Sequence, residues 1–264
     1  MGLYVETRVR TDMETLWERT QDPAQHQRWD LRFTEIDYLP RPAGEPQRFR
    51  YAVRVLPFLT VSGTGVSAGE SGGADGRRVS VLRFASPHPL SLLAEGSGYW
   101  RYVPTPDGVR FLTGYDYRPR WGRLGAVADR WLFRPLMGWA TAWSFDRLRI
   151  WCEHGVSPAR SLAHAVGELT ARLIALPGGV FAALTASGVG GTDGAASWTL
   201  PAAVALALAG LLLLLPPLPR TPAARRCLRT PPGRPTASAP DASAPDASAP
   251  DASAPALLAT LERA

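Results

Sequence analysis

The sequence predicts an α+β fold, an antiparallel sheet curled around one long helix at the end of the domain. Three observations predict it. Two β-type runs, GSGYWRYVPT and VRFLTGYDYRPRW, flank the turn Pro106-Asp107-Gly108, and Asp-Gly is a strong hairpin signal because glycine tolerates positive φ. A helical pattern, GRLGAVADRWLFRPLMGWATAWSFDRLRIW, follows at once. It sets Leu124, Val127, Ala128, Trp131, Pro135, Trp139, Trp143 and Asp146 near one face at spacings of three and four. Upstream, strand-like runs succeed one another with no helix between them, which marks an antiparallel sheet rather than a doubly wound parallel one. The apolar face of the long helix is expected to bury itself against the concave side of the sheet.

Taken in order, Leu3–Arg10 alternates as a strand, with Tyr4, Glu6 and Arg8 on one face and Val5, Thr7 and Val9 on the other. Thr11 or Asp12 caps a helix carrying Met13, Leu16 and Trp17 on one face, with Glu14 in its first turn. Asp22-Pro23 breaks that helix, and a second short one reaches Trp29. Four strand-like runs follow, at 32–39, 47–56, 59–67 and 77–85, separated by Pro40–Pro46, Pro57 and the glycine-rich Ala68–Gly76. The hairpin and the helix over 122–151 complete the order β-α-α-β-β-β-β-β-β-α. This domain is assigned to residues 1–155, and a linker helix to 156–172.

Residues 173–219 form an apolar region in which Asp193 is the one charged side chain between Arg172 and Arg220. Trp198–Leu218 supplies the ~20 apolar residues that a helix needs to cross a ~30 Å bilayer core. Its LALAGLLLLL run leaves no polar face for water, which favours a membrane span over a buried soluble helix. Leu173–Thr192, interrupted by Pro177-Gly178-Gly179, is a second candidate span. Residues 220–264 open with Arg220, Arg225, Arg226, Arg229 and Arg234, then repeat Ala-Ser-Ala-Pro-Asp three times. The repeat has the composition of a disordered linker. The arginines assign this flank to the cytoplasm. Two spans joined by an external loop at Gly188–Ser197 would keep both the domain and the tail cytoplasmic, in a protein of the cell membrane. The N-terminus carries acids and no apolar stretch of the export-signal kind, in keeping with that arrangement.

All 29 basic residues are arginine, for a net charge of +6. Residues 1–153 hold 21 arginines against 17 acids, an ordinary surface balance, and no arginine–aromatic block argues for nucleic acid. Cys152 and Cys227 read as separate thiols, not a disulfide framework. The four histidines, His26, His88, His154 and His164, have no metal-ligand spacing, and no nucleotide, zinc or hydrolase motif occurs. No cofactor is expected. Gly63-Thr64-Gly65 and Gly96-Ser97-Gly98 lie within strand-like runs, where glycine marks a bulge or tight bend rather than a phosphate site.

With Thr20-Gln21-Asp22-Pro23-Ala24 and Arg28-Trp29-Asp30 before the second strand, and Gly122–Trp151 closing the domain, the order resembles the helix-grip fold of the START-like, or SRPBCC, superfamily. That superfamily includes polyketide cyclases/dehydrases, lipid-transfer domains and plant ligand binders. The resemblance covers residues 3 to about 153. It implies a cavity beneath the long helix that takes hydrophobic ligands such as lipids, sterols or polyketides. It implies a pocket and not a reaction.

The residues expected to line that cavity are Tyr99, Tyr102, Tyr115, Tyr117, Trp139 and Trp143. If the chain were an aromatase or cyclase, Arg101, Tyr115 and Asp116, with Asp146 on the helix, are the groups that could polarise a carbonyl and move a proton. The plainer reading of Arg101 and Asp116 is a cross-strand ion pair on the outer face, worth under ~1 kcal/mol. The expected function is therefore binding of a hydrophobic small molecule or lipid by a membrane-tethered module, without turnover. A cyclase/dehydrase-like enzyme and a regulatory protein-interaction module are the alternatives, and the sequence identifies no protein partner.

Overall fold

The computed structural model describes residues 2–56, 58–188 and 215–232, together with Val204, Ala207, Gly210, Leu211 and Leu214. The chain forms two compact units. One contains residues up to Gly155 together with those from Ala223 onward, and the other runs from Val156 to Pro222. The second candidate span, Leu173–Thr192, is described only to Gly188. Most of Trp198–Leu218, the proposed Gly188–Ser197 loop and the repeat tail lie outside the described residues.

In the first unit β1 (Leu3–Val9) leads to α1 (Met13–Gln21) and α2 (Pro23–Trp29). The Asp12 side chain caps α1 by accepting from the Thr15 N–H at 2.7 Å, and Asp22 caps α2 from the Ala24 N–H at 2.9 Å. Six strands follow: β2 (Glu35–Tyr38), β3 (Arg48–Leu56), β4 (Leu59–Gly72), β5 (Arg78–Ala85), β6 (Leu93–Thr105) and β7 (Gly108–Pro119). They form one seven-stranded antiparallel sheet in the order β1-β7-β6-β5-β4-β3-β2. The first two strands in sequence thus occupy opposite edges, and only the two short helices link them.

β4 extends to Gly72, past the expected start of the glycine-rich separator, because a bulge between Ser67 and Gly69 lets the pairing with β5 continue. β2 is correspondingly short.

The closing helix is not uniform. α3 (Gly122–Ala128) passes through a π-helical turn over Asp129–Phe133 into α4 (Arg134–His154). Pro135 has no N–H to give the preceding turn, and a widened turn accommodates that loss. Buried Asp129 accepts from the Tyr117 hydroxyl and from the Arg134 Nε and Nη2 at 3.1 and 2.9 Å, which fixes the turn on β7. Of the stripe expected against the sheet, Leu124, Val127, Trp131 and Trp139 are exposed, and Trp143 and Asp146 are buried. The face that packs is Gly138, Thr141, Phe145 and Leu148, all buried. α4 ends at Gly155, in the left-handed region at φ 64°.

A stretch after the apolar region returns to this unit. Glu6 of β1 and Leu228 exchange both backbone hydrogen bonds at 2.9 Å. Asp146 Oδ2 accepts from the Ala223 N–H at 2.8 Å and from Arg226 Nη1 at 2.9 Å, and Cys227 Sγ donates to the Ala142 carbonyl at 3.2 Å. Asp146 was expected as a polar group of the cavity. Its carboxylate is instead wholly engaged with the returning chain and with Arg149 Nε at 2.7 Å.

In the second unit, α5 (Pro158–Gly188) runs without a break through Pro177-Gly178-Gly179. The expected linker helix and the start of the second candidate span, Leu173–Thr192, are therefore one element. Near its middle, Arg172 donates to the carbonyls of Leu215 and Pro216 at 2.6 and 3.1 Å, and the Leu218 N–H meets the Glu168 carboxylate at 3.2 and 3.3 Å. Burial alone would raise the Glu168 pKa, but hydrogen bonds from Thr221, the Leu218 N–H and Arg172 outweigh it and hold the carboxyl below its ordinary range. Among the described residues, no helix is long and apolar enough to cross a membrane.

Candidate functional site

Strand alternation divides the sheet into two faces. The face toward α4 carries Phe49, Tyr51, Phe84, Trp100, Tyr102, Phe111, Tyr115 and Tyr117, as the register pairs show. Half of this face is solid core. Phe111 stacks on Phe145 of α4 with ring centroids 4.5 Å apart, Tyr102 lies 4.9 Å from Phe111, and Trp29 packs on Phe145 at 6.1 Å. Tyr102 is fully buried, and its hydroxyl lies 2.7 Å from the Thr20 hydroxyl and accepts from Gln21 Nε2 at 2.9 Å. It cements α1 to the sheet rather than lining a space.

The other half is built differently. Gly63, Gly65, Gly96 and Gly98 occupy its inner face, and aromatic rings lie across the first three. A Cβ added at Gly65 would sit 2.1 Å from the Phe49 ring, one at Gly63 2.3 Å from the Tyr51 hydroxyl, and one at Gly96 2.6 Å from the Phe84 ring. The glycines therefore serve close approach rather than a bend. The rings cover the glycines and form an aromatic floor on this part of the face. Phe49, Phe84, Tyr117 and Phe133 are only half-buried. Tyr117 meets Phe133 of the π turn edge-on at 5.6 Å.

A buried polar cluster separates the two halves. Asp30, just past α2, receives Arg32 through two parallel bonds, Nε to Oδ1 at 2.9 Å and Nη2 to Oδ2 at 2.6 Å. His26 Nε2 lies 3.1 Å from Asp30 Oδ2. The Arg32 guanidinium sits 5.7 Å from the Tyr115 ring centre, and the Tyr115 hydroxyl lies 3.1 Å from that of Thr141. Burial would raise the Asp30 pKa, but the Arg32 charge and the His26 and Arg32 hydrogen bonds hold it far below the usual carboxylate range. Burial pushes His26 down, against the opposing pull of Asp30, and so keeps the imidazole neutral. Arg147, facing the same carboxylate from α4, is lowered to about 10 by desolvation.

Of the expected cavity residues, Tyr115 and Tyr117 face the helix beside the ring-over-glycine floor. Tyr99 does not. It pairs with Gly114 and Val81 on the outer face, where it clusters with Tyr4, Val81 and Leu112. Tyr99 and Tyr102 are three residues apart, an odd spacing that puts them on opposite faces. Trp143 is buried, with the Arg147 guanidinium 5.5 Å from its ring, while Trp139 is 44% exposed. Arg101 and Asp116 also lie on the outer face, but their register partners are Leu112 and Ser97. They are four residues out of register, ~13 Å along the strands, so the expected cross-strand pair does not form. Only Tyr115 of the three catalytic candidates faces the closing helix. Arg32, Thr141 and Arg147 were not singled out from sequence, Asp30 was noted only within Arg28-Trp29-Asp30, and His26 only as a histidine without metal-ligand spacing. The Asp30-x-Arg32 spacing after a buried tryptophan is the one local signal that could have found them. Among the described residues no group of three His, Cys, Asp or Glu side chains is placed to hold a metal ion.

No protein-family model matches the chain. It is 49% identical over 165 residues to the uncharacterized membrane protein YndG of Bacillus subtilis (strain 168). That match covers 62% of this chain and 62% of YndG, so the chain spans less than two thirds of the curated relative it matches. Among solved structures it is similar to a protein of Thermus thermophilus, with 18% identity, 56% of this chain and 94% of that one covered, and a TM-score of 0.44. It is also similar to the Zhui aromatase/cyclase of Streptomyces sp. R1128, with 16% identity, coverage of 56% and 95%, and a TM-score of 0.38. A STAR-related lipid transfer protein of Xanthomonas axonopodis gives 16%, 51% and 78%, and 0.39. At such scores the fold rests on the strand order and the closing helix, not on these likenesses.

Proposed function

We propose that the chain is a membrane-tethered module that holds a hydrophobic small molecule or lipid between the sheet and the closing helix, without turnover. The observation that carries the binding reading is the ring-over-glycine floor. Inner-face glycines admit aromatic rings close against the strands, and the half-burial of Phe49, Phe84 and Tyr117 leaves this apolar surface within reach of a ligand. The Asp30–Arg32–Tyr115 cluster at its back wall supplies a few fixed polar groups of the kind that orient a ligand in an apolar site. The sequence likeness to YndG, a protein named for the membrane, and the composition of Trp198–Leu218 support the tether.

Chain connectivity supports an orientation. Residues on either side of the second unit, up to Gly155 and from Ala223, belong to one compact unit. Any crossing between them must therefore be even in number. Within the second unit, Arg172 and Glu168 hold Leu215–Leu218, so the chain leaves and re-enters that region at neighbouring points. A two-span hairpin fits both facts, with the domain and the arginine-rich flank in the cytoplasm.

Native mass spectrometry of the full-length chain, extracted in detergent, tests the binding reading. A stoichiometric apolar adduct is expected, and it should be lost in Gly65→Val, whose side chain must lift the Phe49 ring into the space. A chain that carries no adduct and takes up no fluorescent fatty-acid probe overturns it.

One observation favours a second reading. The Tyr115 hydroxyl stands beside a buried guanidinium, an arrangement that could polarise a carbonyl as in a cyclase or dehydrase. Loss of turnover in Tyr115→Phe with retained binding would favour the enzyme over the carrier.

A further inference from the structure

Three segments lie toward the same end of the strands: the β3–β4 turn, the β5–β6 loop and the start of α3. Leu56 pairs with Leu59 and Leu93 with Pro119, and the β3–β4 turn projects beyond β5, whose last residue Ala85 pairs with Thr64. Each segment points large apolar side chains outward. Phe58 is 86% exposed, Leu124 81% and Trp131 76%, and Leu90, Trp121 and Leu132 are exposed with them.

The start of α3 is fixed to the β5–β6 loop. Arg120 donates from Nε to the Ser91 carbonyl at 3.2 Å and through a second nitrogen to the Ser86 carbonyl, and Trp121 Nε1 donates to the Pro89 carbonyl at 3.2 Å. Trp121 is also the one non-glycine residue with positive φ among those described, at 66°. That region is unfavourable for a bulky side chain. The hydrogen bond to Pro89 holds the indole against the β5–β6 loop in spite of that cost.

Charge completes the pattern. The turn VLPFLT and the loop SPHPLSL contain no acid. Between Pro119 and Trp143 the one acid is Asp129, buried against Arg134, while Arg123 and Arg130 are exposed. The opposite end of the sheet is different in kind, with Glu45, Asp75 and Asp107 in its exposed turns. The exposed acid just inside this end, Glu95, is paired with Arg118 at 3.0 Å. Exposed tryptophan and leucine with arginine and no unpaired acid in the segments themselves is the composition of a surface that sits at an anionic lipid interface.

We propose that this end of the sheet is a membrane-docking face that inserts Phe58, Leu90, Trp121, Leu124 and Trp131 into the headgroup region of an anionic bilayer. Its occupant is the bilayer surface rather than a second copy or the chain's own apolar segment. The claim is separate from the tether and from ligand binding. The tether sets whether the chain stays with the membrane, and this face sets which end of the sheet turns toward it, beside the half-open, ring-floored half of the inner face.

The test uses the full-length chain, in a Cys152→Ser background, reconstituted into vesicles of phosphatidylcholine with phosphatidylglycerol and of phosphatidylcholine alone. Spin labels are placed singly through Phe58→Cys, Leu90→Cys, Leu124→Cys and, as control at the far end, Asp75→Cys. The first three labels should gain accessibility to oxygen and lose accessibility to a water-soluble nickel chelate in the anionic vesicles, and Asp75→Cys should not. Adding Arg123→Glu and Arg130→Glu should reverse the gain. Water-exposed labels at all positions in both vesicles overturn the proposal. So does spin–spin broadening between copies, which assigns the face to self-association. Shielding that persists in detergent without lipid assigns it to the chain's own apolar segment and overturns it equally.

Discussion

Asp146 Oδ2 accepts a hydrogen bond from the backbone N–H of Ala223 at 2.8 Å, across 77 residues of chain. The same carboxylate holds Arg226 and Arg149, and Arg149 passes the contact to Glu153 at 2.8 Å, which in turn receives the Arg10 N–H at 3.0 Å. The end of β1, the closing helix and the returning segment are joined by one run of charge-assisted bonds, centred on a fully buried acid.

The first prediction follows from that clamp. Asp146→Ala leaves two arginines short of a buried partner, a loss of about 3 kcal/mol or more, and frees the returning segment. Cys227 reports it, because burial raises its thiol to about 12. Release toward an ordinary thiol pKa would speed alkylation at pH 8 on the order of a thousand-fold through the thiolate fraction alone. Labelling kinetics followed by mass spectrometry should show this at Cys227 and not at Cys152. Unchanged Cys227 labelling would mean that the bridge between Glu6 and Leu228 suffices to hold the segment.

A second prediction concerns topology. If the chain crosses the membrane twice, Asp193→Cys should react with a membrane-impermeant thiol reagent applied to intact cells, and Glu45→Cys in the β2–β3 turn should react only after lysis. Leu208→Arg with Leu212→Arg should release the protein from membranes, since an arginine costs about 2.5 kcal/mol or more at the centre of an inserted helix. Labelling of Glu45→Cys from outside would place the domain beyond the membrane and exclude the hairpin.

The order of elements was legible because local chemistry specifies it. Asp-Gly closes the β6–β7 hairpin, Asp12 and Asp22 cap the short helices, and Gly155 ends the long one. Which surface meets which was less legible. Spacing of three and four marks an apolar stripe over Leu124–Trp139 but does not say whether sheet or solvent faces it, and the π turn at Asp129–Phe133 changes the phase midway. Tyr99 was misplaced although period-two alternation separates it from Tyr102. The Asp30–Arg32–His26 cluster draws its rings and hydroxyl from β6, β7 and α4, as the contacts to Trp100, Tyr115 and Ser144 show, so beyond the Asp30-x-Arg32 spacing no local pattern announces it. The return of Ala223–Leu228 has no sequence signal at all, since Ala-Ala-Arg-Arg-Cys-Leu lacks the alternation of a strand and the length of a helix.

The third prediction tests the floor against simple destabilisation. Gly96→Ala drives a Cβ to 2.6 Å from both the Phe84 ring and the backbone carbonyl of Asp116, whereas the nearest atoms at the Gly65 site all belong to the Phe49 ring. A ring end can move and a strand carbonyl cannot. Gly96→Ala should therefore cost about 1–3 kcal/mol of stability as overpacking does, while Gly65→Ala should cost less and act mainly on ligand occupancy. Thermal melts of both variants beside adduct retention by native mass spectrometry separate the effects. Equal loss of stability in the two would argue that the volume above the rings is already filled.

The last prediction is a pH dependence centred on His26, which stacks on Trp29 at 5.0 Å and meets Trp100 at 4.9 Å and Phe33 at 5.2 Å edge-on. Its charged neighbours are Asp30, which favours the imidazolium, and Arg32, which opposes it, and burial is the largest influence and lowers the folded pKa. The unfolded chain, with an ordinary histidine near 6.5, then binds the proton more readily than the folded chain. The stability owed to neutral His26 is present above about pH 6.5 and is lost as pH falls toward the depressed folded value, at no more than about 1.4 kcal/mol per pH unit. Asp30, held far below the carboxylate range, stays ionised through this window and contributes no slope there. His26→Gln keeps an amide donor for Asp30 and removes the titration, so its melting temperature should fall less than that of the wild type between pH 7 and pH 5. The variant will be less stable at pH 7 for lost ring packing, and for that reason the comparison is of slopes and not of absolute values. Parallel slopes in the two proteins would show that His26 takes up its proton as easily in the fold as out of it, and would remove the buried, neutral imidazole from the account of the cluster.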